Sequence, residues 1–582
     1  MALKDKLTVL ATQAFEECGL DSSYGLVVVS NRPELCQYQC NGAMAAAKAA
    51  KTNPMAIAEK IAEKLAPNPI FSKVEACRPG FVNMTLTGEA LAEEITAMLN
   101  SPRLCMPEEP RKKIVLDFGG ANVAKPLHVG HLRTAIIGRA LTEIGRFLGH
   151  EIITDVHLGD WGLQMGQVIT HSSDLYPDLP YFNKDITSGY PEESPYTVSE
   201  LEVIYPEAAK RFREDPEFAE RAKAATVELQ TGRPGYLALW NHIHRISVED
   251  LKKNYGRLDT DFDYWYGESD SAPYLPRVIK VLEDKGLLVE SQGAKVVEIE
   301  STKADPIPPM IILKSDGGEL YGSADLATLI QRVEDWNPDE VWYVVDTRQS
   351  LHFKQVFTVA KMAGIVSPET VLIHANNGTI NGKDGKPFKT RAGGVMRLST
   401  LIDSAVEAAF AKTAEGVVDM SEEEQRETAE IIGVAALKVG DLINHRTRDY
   451  IFDLDRFMQN DGKTGPYLLY SAVRISSLLK KAGDTQYNKA SAPVTATETS
   501  LMLSLLNTGE ALTRSFAEKA PNALCEALFS ITGWFNRFYM ENAILTCPDE
   551  AQKASWLALL NLTNQLLRLM LSLLGIKVPA KM

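Results

Sequence analysis

The stretch from Ile114 to His131, IVLDFGGANVAKPLHVGH, decides the fold. The mostly apolar run Ile114 to Phe118 predicts a buried β-strand, the glycine pair after it predicts a turn, and the pattern from about His128 to Leu148 predicts a long helix. A second apolar run, Ile152 to Val156, predicts the next strand. Strand, helix and strand in this order are typical of a parallel βαβ unit.

Later β-rich runs alternate with helical patterns and extend this prediction. They are Lys295 to Ile299, Met310 to Leu313, Val341 to Val345 and Val371 to His374. We therefore expect an α/β fold with a doubly wound parallel sheet of the Rossmann type.

Composition and pattern divide the chain of 582 residues into three parts. Residues 1–107 predict an N-terminal α+β domain, which ends in the charged, proline-containing linker Ser101 to Lys113. Residues 108–400 predict the Rossmann-type domain, with an insertion at about 165–295 in which Tyr176 to Tyr205 has the composition of an irregular surface segment. Residues 401–582 predict an α-helical bundle, since nearly everything after Ser421 has helical period.

Hydropathy and cysteine usage exclude several classes of protein. The most apolar stretch, Trp556 to Gly575, is interrupted by polar residues and predicts an amphipathic helix, so we expect no membrane span. Charged residues near the N-terminus break any signal-peptide core. Seven cysteines without a CxxC pair favour a reducing, cytoplasmic setting. Cys36 and Cys40 are spaced like half a zinc site, but no second ligand pair lies nearby in the sequence.

The net charge of −15 is unevenly distributed. Residues 114–429 carry the excess of acidic side chains, whereas residues 1–113 and 430–582 are close to neutral. The flanking parts can present local basic faces to RNA phosphates, although ordinary solvated surfaces explain the same charges.

The turn between the first strand and its helix carries the chemistry. Backbone N–H groups and the positive helix end bind anions at this position in a parallel sheet. His128 and His131 lie one helical turn apart with Gly130 between them, and imidazoles so placed can donate hydrogen bonds to a phosphate in its transition state. The alternative is a helix N-terminus with two surface histidines.

The longer context of this turn resembles a known family. His128-Val-Gly-His131 is similar to the first signature of class I aminoacyl-tRNA synthetases, and its flanks, Asn122 to Lys125 and His131 to Gly138, resemble the arginyl-tRNA synthetases. The similarity continues in HLGDWGLQ, residues 157–164, in Arg32 to Asn41 and in Gly462 to Arg474. It therefore spans essentially the whole chain.

The resemblance implies roles for individual residues. It assigns to the arginine site Asp117, Asn122, His157, Tyr321, Asp325 and Gln349. It assigns to ATP binding Lys125, His128, Gly130, His131 and Lys383. A guanidinium offers five donors and no acceptor, so carboxylates and a phenolic oxygen suit its pocket.

The second class I signature departs from the usual pattern. In the matching stretch, Gly382 to Gly393, Ala392 stands where a final lysine is expected. Lys383, Lys386 and Lys389 lie upstream, resembling a variant in which an upstream lysine substitutes. With His128 and His131, the resemblance makes Lys386 and Lys389 catalytic, and which lysine acts stays open. A second departure, Gly119-Gly120-Ala121, alters the loop before Asn122 without an expected change of reaction.

The resemblance implies an arginine–tRNA ligase. The arginine carboxylate attacks the α-phosphate of ATP, which Mg²⁺ accompanies without a dedicated protein metal site, and arginyl-adenylate and pyrophosphate form. The ribose hydroxyl of the terminal adenosine of tRNA(Arg) then takes the arginyl group from the adenylate, and AMP leaves. The family further implies that tRNA is needed for the first step. We expect a monomer.

The same resemblance assigns tRNA elbow contacts to the N-terminal domain and anticodon contacts to the C-terminal bundle, including Tyr467, Tyr470 and Arg474. Aromatic side chains of the bundle could stack on bases or fill its core; they are Tyr467, Tyr470, Trp534, Phe535 and Tyr539.

Two other functions fit parts of the pattern. An adenylyltransferase would share the His-x-Gly-His turn but would not need a helical C-terminal domain. A tRNA-binding relative without catalysis is conceivable because of the incomplete lysine loop, although Asp117, Tyr321, Asp325 and both histidines argue against it.

Overall fold

The computed structural model describes residues 3–300, 306–313, 321–386, 388, 396–416, 420–483 and 487–582, without the side chains of residues 321 and 414–416. The chain separates into two compact units. One unit comprises Met1–Glu109, Phe410–Val439 and Arg456–Met582, and the other comprises Pro110–Ala409 and Gly440–Asp455.

The N-terminal part mixes helices and strands as predicted. Its elements are α1 Leu3–Glu17, β1 Val27–Val29, β2 Tyr38–Cys40, α2 Gly42–Ala50, α3 Pro54–Leu65, β3 Phe71–Cys77, β4 Phe81–Leu86 and α4 Gly88–Leu99. The four strands form an antiparallel sheet in the order β1-β2-β4-β3.

The middle of the chain carries the parallel sheet and its helices. Its first elements, which include the helices of the insertion, are β5 Lys113–Phe118, α5 Val129–Leu148, β6 Glu151–Asp155, α6 Leu163–Leu175, α7 Val198–Glu214, α8 Pro216–Gln230 and α9 Pro234–Arg257. They are followed by α10 Glu268–Ser271, α11 Leu275–Asp284, β7 Leu288–Ser291, β8 Ala294–Val297, β9 Met310–Leu313, α12 Tyr321–Trp336, β10 Glu340–Val344, α13 Ser350–Ala363, β11 Val371–His374 and β12 Ile380–Asn381.

The predicted doubly wound sheet is confirmed. Four parallel strands lie in the order β11-β10-β5-β6. Phe118 of β5 meets α5 so closely that a Cβ on Gly138 would lie 2.2 Å from its ring. Val115, on the other face because strand side chains alternate, packs in a core with residues of α12 and α13. Helices therefore cover both faces of the sheet.

Two predicted strands of this sheet belong elsewhere. Lys295–Ile299 and Met310–Leu313 correspond to β8 and β9, which form a separate antiparallel sheet with β7. The left-handed backbone of Gln292 (φ 53°) and Gly293 (φ 81°) makes a two-residue hairpin between β7 and β8. A hairpin fixes an antiparallel pairing, so these strands cannot continue the parallel series.

The insertion is more regular than its composition predicted. Within Tyr176–Tyr205, helix α7 begins after Thr197, whose side chain caps it together with Glu200. Tyr181 and Tyr196 are buried. Some aromatic residues of this stretch therefore belong to a core, whereas Tyr176 is 43% exposed.

The C-terminal part is helical as predicted, apart from one short strand. Its elements are α14 Leu398–Gly416, α15 Glu422–Leu442, β13 Tyr450–Ile451, α16 Leu454–Phe457, α17 Gly465–Ala482, α18 Ala496–Leu506, α19 Thr508–Ala517, α20 Asn522–Glu541 and α21 Glu550–Leu573. Within the described ranges, no helix is long and apolar enough to cross a membrane.

The N-terminal part and the C-terminal helices share one unit although they are distant in sequence. The hydroxyl of Tyr38 donates to Oδ1 of Asn507 at 2.9 Å. The backbone N–H of Ala490 donates to Oγ1 of Thr96 at 3.0 Å. These contacts attach the N-terminal sheet and α4 to the helical bundle.

Candidate active site

The two signature histidines cap the first turn of α5. Nδ1 of His128 accepts from the backbone N–H of Gly130 at 3.1 Å, and Nδ1 of His131 accepts from the backbone N–H of His128 at 3.0 Å. A side chain at Gly130 has no room, because its Cβ would lie 2.8 Å from Cε1 of His128. The sequence order His-x-Gly-His thus also caps the amino end of α5.

Both imidazoles are uncharged at neutral pH. Burial, helped by the charge of Lys125, lowers the pKa of His128 to about 4. Burial and the neighbouring His128 lower the pKa of His131 to about 3. Because Nδ1 of each neutral ring accepts a hydrogen bond, the ring proton lies on Nε2. The His128 ring therefore keeps one N–H donor that does not titrate near pH 7, whereas the His131 ring is also hydrogen-bonded to the backbone of Gly120.

A cleft of about 410 Å³ lies at these rings. The predicted site residues among those lining it are His128, Gly130, His131, Asp325 and Gln349, and the others are Gly119, Gly120, Thr134, Val345, Asp346, Arg348, His352 and Phe353. The lining comes from the carboxyl ends of β5 and β10 and from the amino ends of α5 and α13. Parallel α/β sheets bind ligands at this edge.

Asp325 presents a carboxylate to the cleft from α12. Its Oδ2 lies 2.5 Å from Nε2 of His352, at the start of α13. Both side chains remain partly exposed, at 16% for Asp325 and 27% for His352. The contact orients the carboxylate while leaving it accessible from the cleft.

Asp117 ends β5 as predicted, but it binds an arginine of the chain itself. Its Oδ2 lies 2.6 Å from Nη2 of Arg332, and the same nitrogen is 2.9 Å from Oδ2 of Asp155. The guanidinium carbon lies 5.3 Å from the centre of the Tyr343 ring. All these side chains are buried. Asp117 is therefore part of the framework beneath the cleft and is not among its lining residues.

Asn122 and His157 lie together where β5 and β6 end, outside the set that lines the cleft. Asn122 bridges to Gly159, on which a Cβ would lie 1.9 Å from Oδ1 of Asn122. His157 has a left-handed backbone (φ 44°), and its N–H donates to Oδ1 of Asp155 at 3.3 Å. Nδ1 of His157 is buried without a hydrogen-bond partner in the described part of the chain, so it has bonding capacity for a ligand.

Glu268 is a carboxylate near this edge that the sequence analysis missed. Its backbone N–H donates to the carbonyl oxygen of Leu158 at 2.9 Å, and its Oε2 accepts from the N–H of Trp161 at 3.4 Å. Burial raises the pKa of Glu268 to about 7, while the nearby His157 lowers it. Among the residues that the structure describes, no lysine or arginine forms an ion pair with it.

A second buried carboxylate fixes Glu268. Oδ1 of Asp160 accepts from the N–H of Ser269 at 3.0 Å, and Oδ2 accepts from its hydroxyl at 2.6 Å. A Cβ on Gly267 would lie 2.6 Å from Oδ1 of Asp160. No short motif marks Glu268, because a backbone pairing with residues of a distant segment brings it to the site.

The remaining predicted residues lie around the cleft or outside the described residues. Lys125 is half-buried, and its charge reaches both signature histidines. The backbone of Tyr321 begins α12, with Asp325 one turn later as predicted, but its side chain lies outside the described residues.

The cationic loop is the stretch Gly382 to Gly393 that matches the second class I signature. The structure describes its residues 382–386 and 388. Nζ of Lys383 lies 3.3 Å from Oδ2 of Asp453, with 71% of the lysine side chain exposed. The backbone N–H of Lys386 donates to Oδ1 of Asp384 at 3.1 Å, and this lysine is exposed. Lys389 and Ala392 lie outside the described residues.

The residues predicted to contact tRNA form one cluster on α17. Nη2 of Arg474 donates to the hydroxyl of Tyr470 at 2.7 Å, with the guanidinium 4.5 Å from the centre of that ring. Nδ2 of Asn536 donates to the hydroxyl of Tyr467 at 2.8 Å. Tyr470 is 42% exposed, whereas Phe535, considered for base stacking, is fully buried in the bundle.

The sheet, the signature turn and the cleft define a class I aminoacyl-tRNA synthetase. The family description "tRNA synthetases class I (R), catalytic domain" matches residues 94–454. "Arginyl tRNA synthetase N terminal domain" matches residues 3–86, and "DALR anticodon binding domain" matches residues 468–582. The chain belongs to the arginyl-tRNA synthetase family.

Full-length relatives agree with this membership. The chain is 46% identical to an arginine–tRNA ligase of Agathobacter rectalis, covering 98% of each chain, and 46% identical to one of Alkaliphilus oremlandii, covering 99% of each. Its fold matches the arginyl-tRNA synthetases of Plasmodium falciparum (24% identity, TM-score 0.82, 100% and 99% covered) and Thermus thermophilus (22%, 0.79, 100% of each). The predicted fold class and the predicted enzyme class, an aminoacyl-tRNA ligase, are confirmed.

Proposed function

We propose that this cleft activates L-arginine with ATP and transfers the arginyl group to the 3′-terminal adenosine of tRNA(Arg). The observation that carries the proposal is the placement of two neutral imidazole donors and the Asp325 carboxylate in one cleft. The imidazoles of His128 and His131 suit phosphate oxygens, and the carboxylate of Asp325 suits a cation. Both kinds of group lie at the edge of a parallel sheet where nucleotides bind.

The arginine end is built from carboxylates. Asp325 is accessible from the cleft, and Glu268 carries a carboxylate without a cationic partner among the described residues. A guanidinium entering between them satisfies both with charge-assisted hydrogen bonds. Gln349 lines the cleft and offers amide groups to the α-amino and carboxylate groups of the substrate. We assign supporting roles to Asn122, His157 and Tyr321.

Asp117 supports this site indirectly. Because its carboxylate is neutralised by Arg332, we propose that it aligns the end of β5 beneath the arginine. The family resemblance placed Asp117 around the substrate, and the ion pair with Arg332 supports this indirect role.

The phosphate end uses donors that need no proton transfer. A carboxylate oxygen of arginine attacks the α-phosphorus of ATP in line, the bond to the bridging oxygen breaks, and pyrophosphate leaves. Nε2–H of His128 and His131 donate to phosphate oxygens, while Lys125 and the lysines of the loop, Lys383, Lys386 and Lys389, neutralise charge that grows in the transition state.

Mg²⁺ is proposed to arrive bound to ATP. In the described part of the chain no group of three or more histidine, cysteine or acidic side chains is arranged to hold a metal. Asp346 lines the cleft, but both its oxygens bind Arg348, at 2.8 and 2.9 Å. Phosphate oxygens are therefore the ligands that suit the ion here.

For tRNA, we propose that residues 1–107 contact the elbow and that residues 401–582 contact the anticodon, while residues 108–400 carry the catalysis. Tyr467, Tyr470 and Arg474 support this assignment, because an exposed ring with a stacked guanidinium offers a platform to an unpaired base. We also propose a monomeric cytoplasmic enzyme, for which the seven free cysteines are suited to a reducing compartment.

The decisive experiment charges total tRNA with each amino acid in turn. We expect arginine alone to be attached, and pyrophosphate exchange to depend on arginine. Exchange without any amino acid would favour a nucleotide-forming adenylyltransferase. Tight tRNA binding without exchange or charging would favour a catalytically silent relative.

A further inference from the structure

Residues 440–455 connect α5, the helix that begins at the signature histidines, with the cationic loop. We call this segment the bracket. It begins with the last residues of α15, among them Asp441, contains β13 and ends within α16. The bracket belongs to the same unit as the parallel sheet, although the helices before and after it belong largely to the other unit. Its contacts on two sides point to a role in catalysis.

On its inner side the bracket holds a buried arginine of α5. Nε of Arg133 lies 3.4 Å from Oδ2 of Asp441, and each side chain is 1% exposed. Nη1 of Arg133 donates to the carbonyl oxygen of Arg448 at 2.7 Å, and Nη2 donates to that of His445 at 3.3 Å. Arg133 follows the second signature histidine by two residues, so its position is tied to that of the phosphate donors.

On its outer side the bracket pairs with the residues that lead into the loop. β13 runs parallel to β12, with Tyr450 opposite Ile380. The N–H of Gly378 donates to the carbonyl oxygen of Arg446 at 2.9 Å, and the N–H of Phe452 donates to that of Asn381 at 2.8 Å. The first stem of the loop is therefore held by backbone hydrogen bonds along the bracket.

The second stem of the loop is attached to α5 directly. The N–H of Val129 donates to the carbonyl oxygen of Met396 at 2.9 Å, and the N–H of Leu398 donates to that of Leu127 at 2.9 Å. Both ends of the cationic loop are thus connected to the amino end of α5. The end at Met396 is joined to it by these hydrogen bonds, and the end at β12 is joined to it through the bracket and Arg133.

We infer that Arg133 and Asp441 are positioning residues, which set the cationic loop at the correct distance from His128 and His131. Neither touches the reacting atoms. The ion pair joins the bracket to α5, and the bracket in turn pairs with β12, which leads into the cationic loop. A change in the ion pair therefore displaces β12 relative to His128 and His131. The inference rests on the proposed function of the loop lysines.

The chemistry of the pair explains why it suits this task. A buried ion pair is costly to break, because either charge alone stays desolvated. Tyr450 adds to it, since its ring lies 5.1 Å from the Arg133 guanidinium carbon and it belongs to the strand that pairs with the loop stem. Asp441 and Tyr450 of β13 therefore both contact Arg133.

The test variant is Asp441→Asn, which keeps the shape and removes the charge. Its matched control is Glu143→Gln on α5, which removes a carboxylate 2.8 Å from Arg139 at the surface. Pyrophosphate exchange is measured per active site in the presence of cognate tRNA, with sites counted by adenylate burst titration. We expect Asp441→Asn to lower kcat about 10- to 100-fold with the arginine KM within about twofold, as for a misplaced catalytic group. Glu143→Gln should match the wild type.

A structural role alone gives a different result. In that case Asp441→Asn lowers the number of active sites and the melting temperature, but kcat per active site stays within twofold, and the inference is overturned. If Asp441→Asn does not fold, Tyr450→Phe replaces it. Because it removes one hydroxyl beside Asp441, it should lower kcat about 2- to 10-fold, and an unchanged kcat per site would equally overturn the inference.

Combination with loop variants separates this inference from the proposed function. If the pair acts through the lysines, Asp441→Asn added to the double variant Lys386→Ala/Lys389→Ala should lower kcat less than it does alone. Full multiplication of the two effects would refute the positioning role. Wild-type kcat in the double variant would refute the proposed function of these lysines instead.

Discussion

Nη2 of Arg332 lies 2.6 Å from Oδ2 of Asp117, in a fully buried ion pair at the end of β5. The arginine also binds Asp155 at the end of β6, so one guanidinium joins two neighbouring strands. Asp117 is therefore engaged by an arginine of the protein itself. Asp325 and Glu268 are the carboxylates that we propose for the guanidinium of the substrate.

Removal of this guanidinium should destabilise the catalytic unit strongly. We expect Arg332→Met to lower the free energy of unfolding by about 3–5 kcal/mol, because Asp117 and Asp155 stay buried without their cation. Urea unfolding followed by tryptophan fluorescence measures it. The control is Arg348→Met, whose arginine is 82% exposed beside Asp346 and should contribute less than about 1 kcal/mol. Equal losses in the two variants would contradict the interpretation.

Specificity for arginine should depend on Asp325. A pocket of buried carboxylates rejects lysine by about 10⁴-fold or more without editing, because lysine leaves acceptors unpaired. Asp325→Ala should raise the arginine KM steeply in pyrophosphate exchange. Asp335→Ala, an exposed carboxylate on the same helix, is the control. An unchanged arginine KM in Asp325→Ala would remove Asp325 from the pocket.

Arginine binding should strengthen as pH rises through 7. The pKa of Glu268 is raised to about 7, so below pH 7 this group is largely protonated and loses the charge that attracts the guanidinium. The arginine KM should therefore rise on acidification, approaching about tenfold per pH unit below the pKa. The signature histidines, with pKa values of about 4 and 3, do not titrate in this range.

The control for this pH dependence is Glu268→Gln. It should raise the arginine KM at pH 8 and abolish the slope between pH 6 and 8. A slope that survives in Glu268→Gln would assign the titration to another group.

The loop lysines should act mainly in the transition state. Lys386→Ala and Lys389→Ala are each expected to lower kcat for adenylate formation, with about 10²-fold as the size of one such contact. The arginine KM should change little, because the charge that they meet develops after binding. Near-normal turnover in both, at saturating ATP, would transfer the role to Lys383 or to another residue.

Bound tRNA should be needed for adenylate formation. The chain passes from the cationic loop through α14 and α15 to the bracket and then to the C-terminal helices, so RNA bound there can bias the loop if its two states bind tRNA differently. Pyrophosphate exchange with arginine and ATP is compared with and without tRNA. Exchange that requires cognate tRNA and weakens with salt supports coupling. Substantial exchange without RNA excludes it.

Local patterns predicted the framework of the site. The apolar run at Ile114, the helical period after His128 and the one-turn spacing of Tyr321 and Asp325 each act over a few neighbouring residues. Backbone hydrogen bonding and side-chain burial respond to such short periods directly. The strands and the capped helix were therefore accessible from local patterns, whereas the family resemblance supplied the cleft residues Asp325 and Gln349 and the roles of His128 and His131.

The sequence by itself determined the class of fold, the order of its elements and the family, whereas the tertiary structure decided which side chains are free to bind. Asp117 is engaged by Arg332, Glu268 enters the site by pairing beside β6, and β8 and β9 form their own sheet. The first two outcomes depend on partners distant in the chain, whereas the third follows from the hairpin that pairs β7 with β8. Burial and charge neutralisation are non-local, so a pattern of neighbouring residues does not specify them.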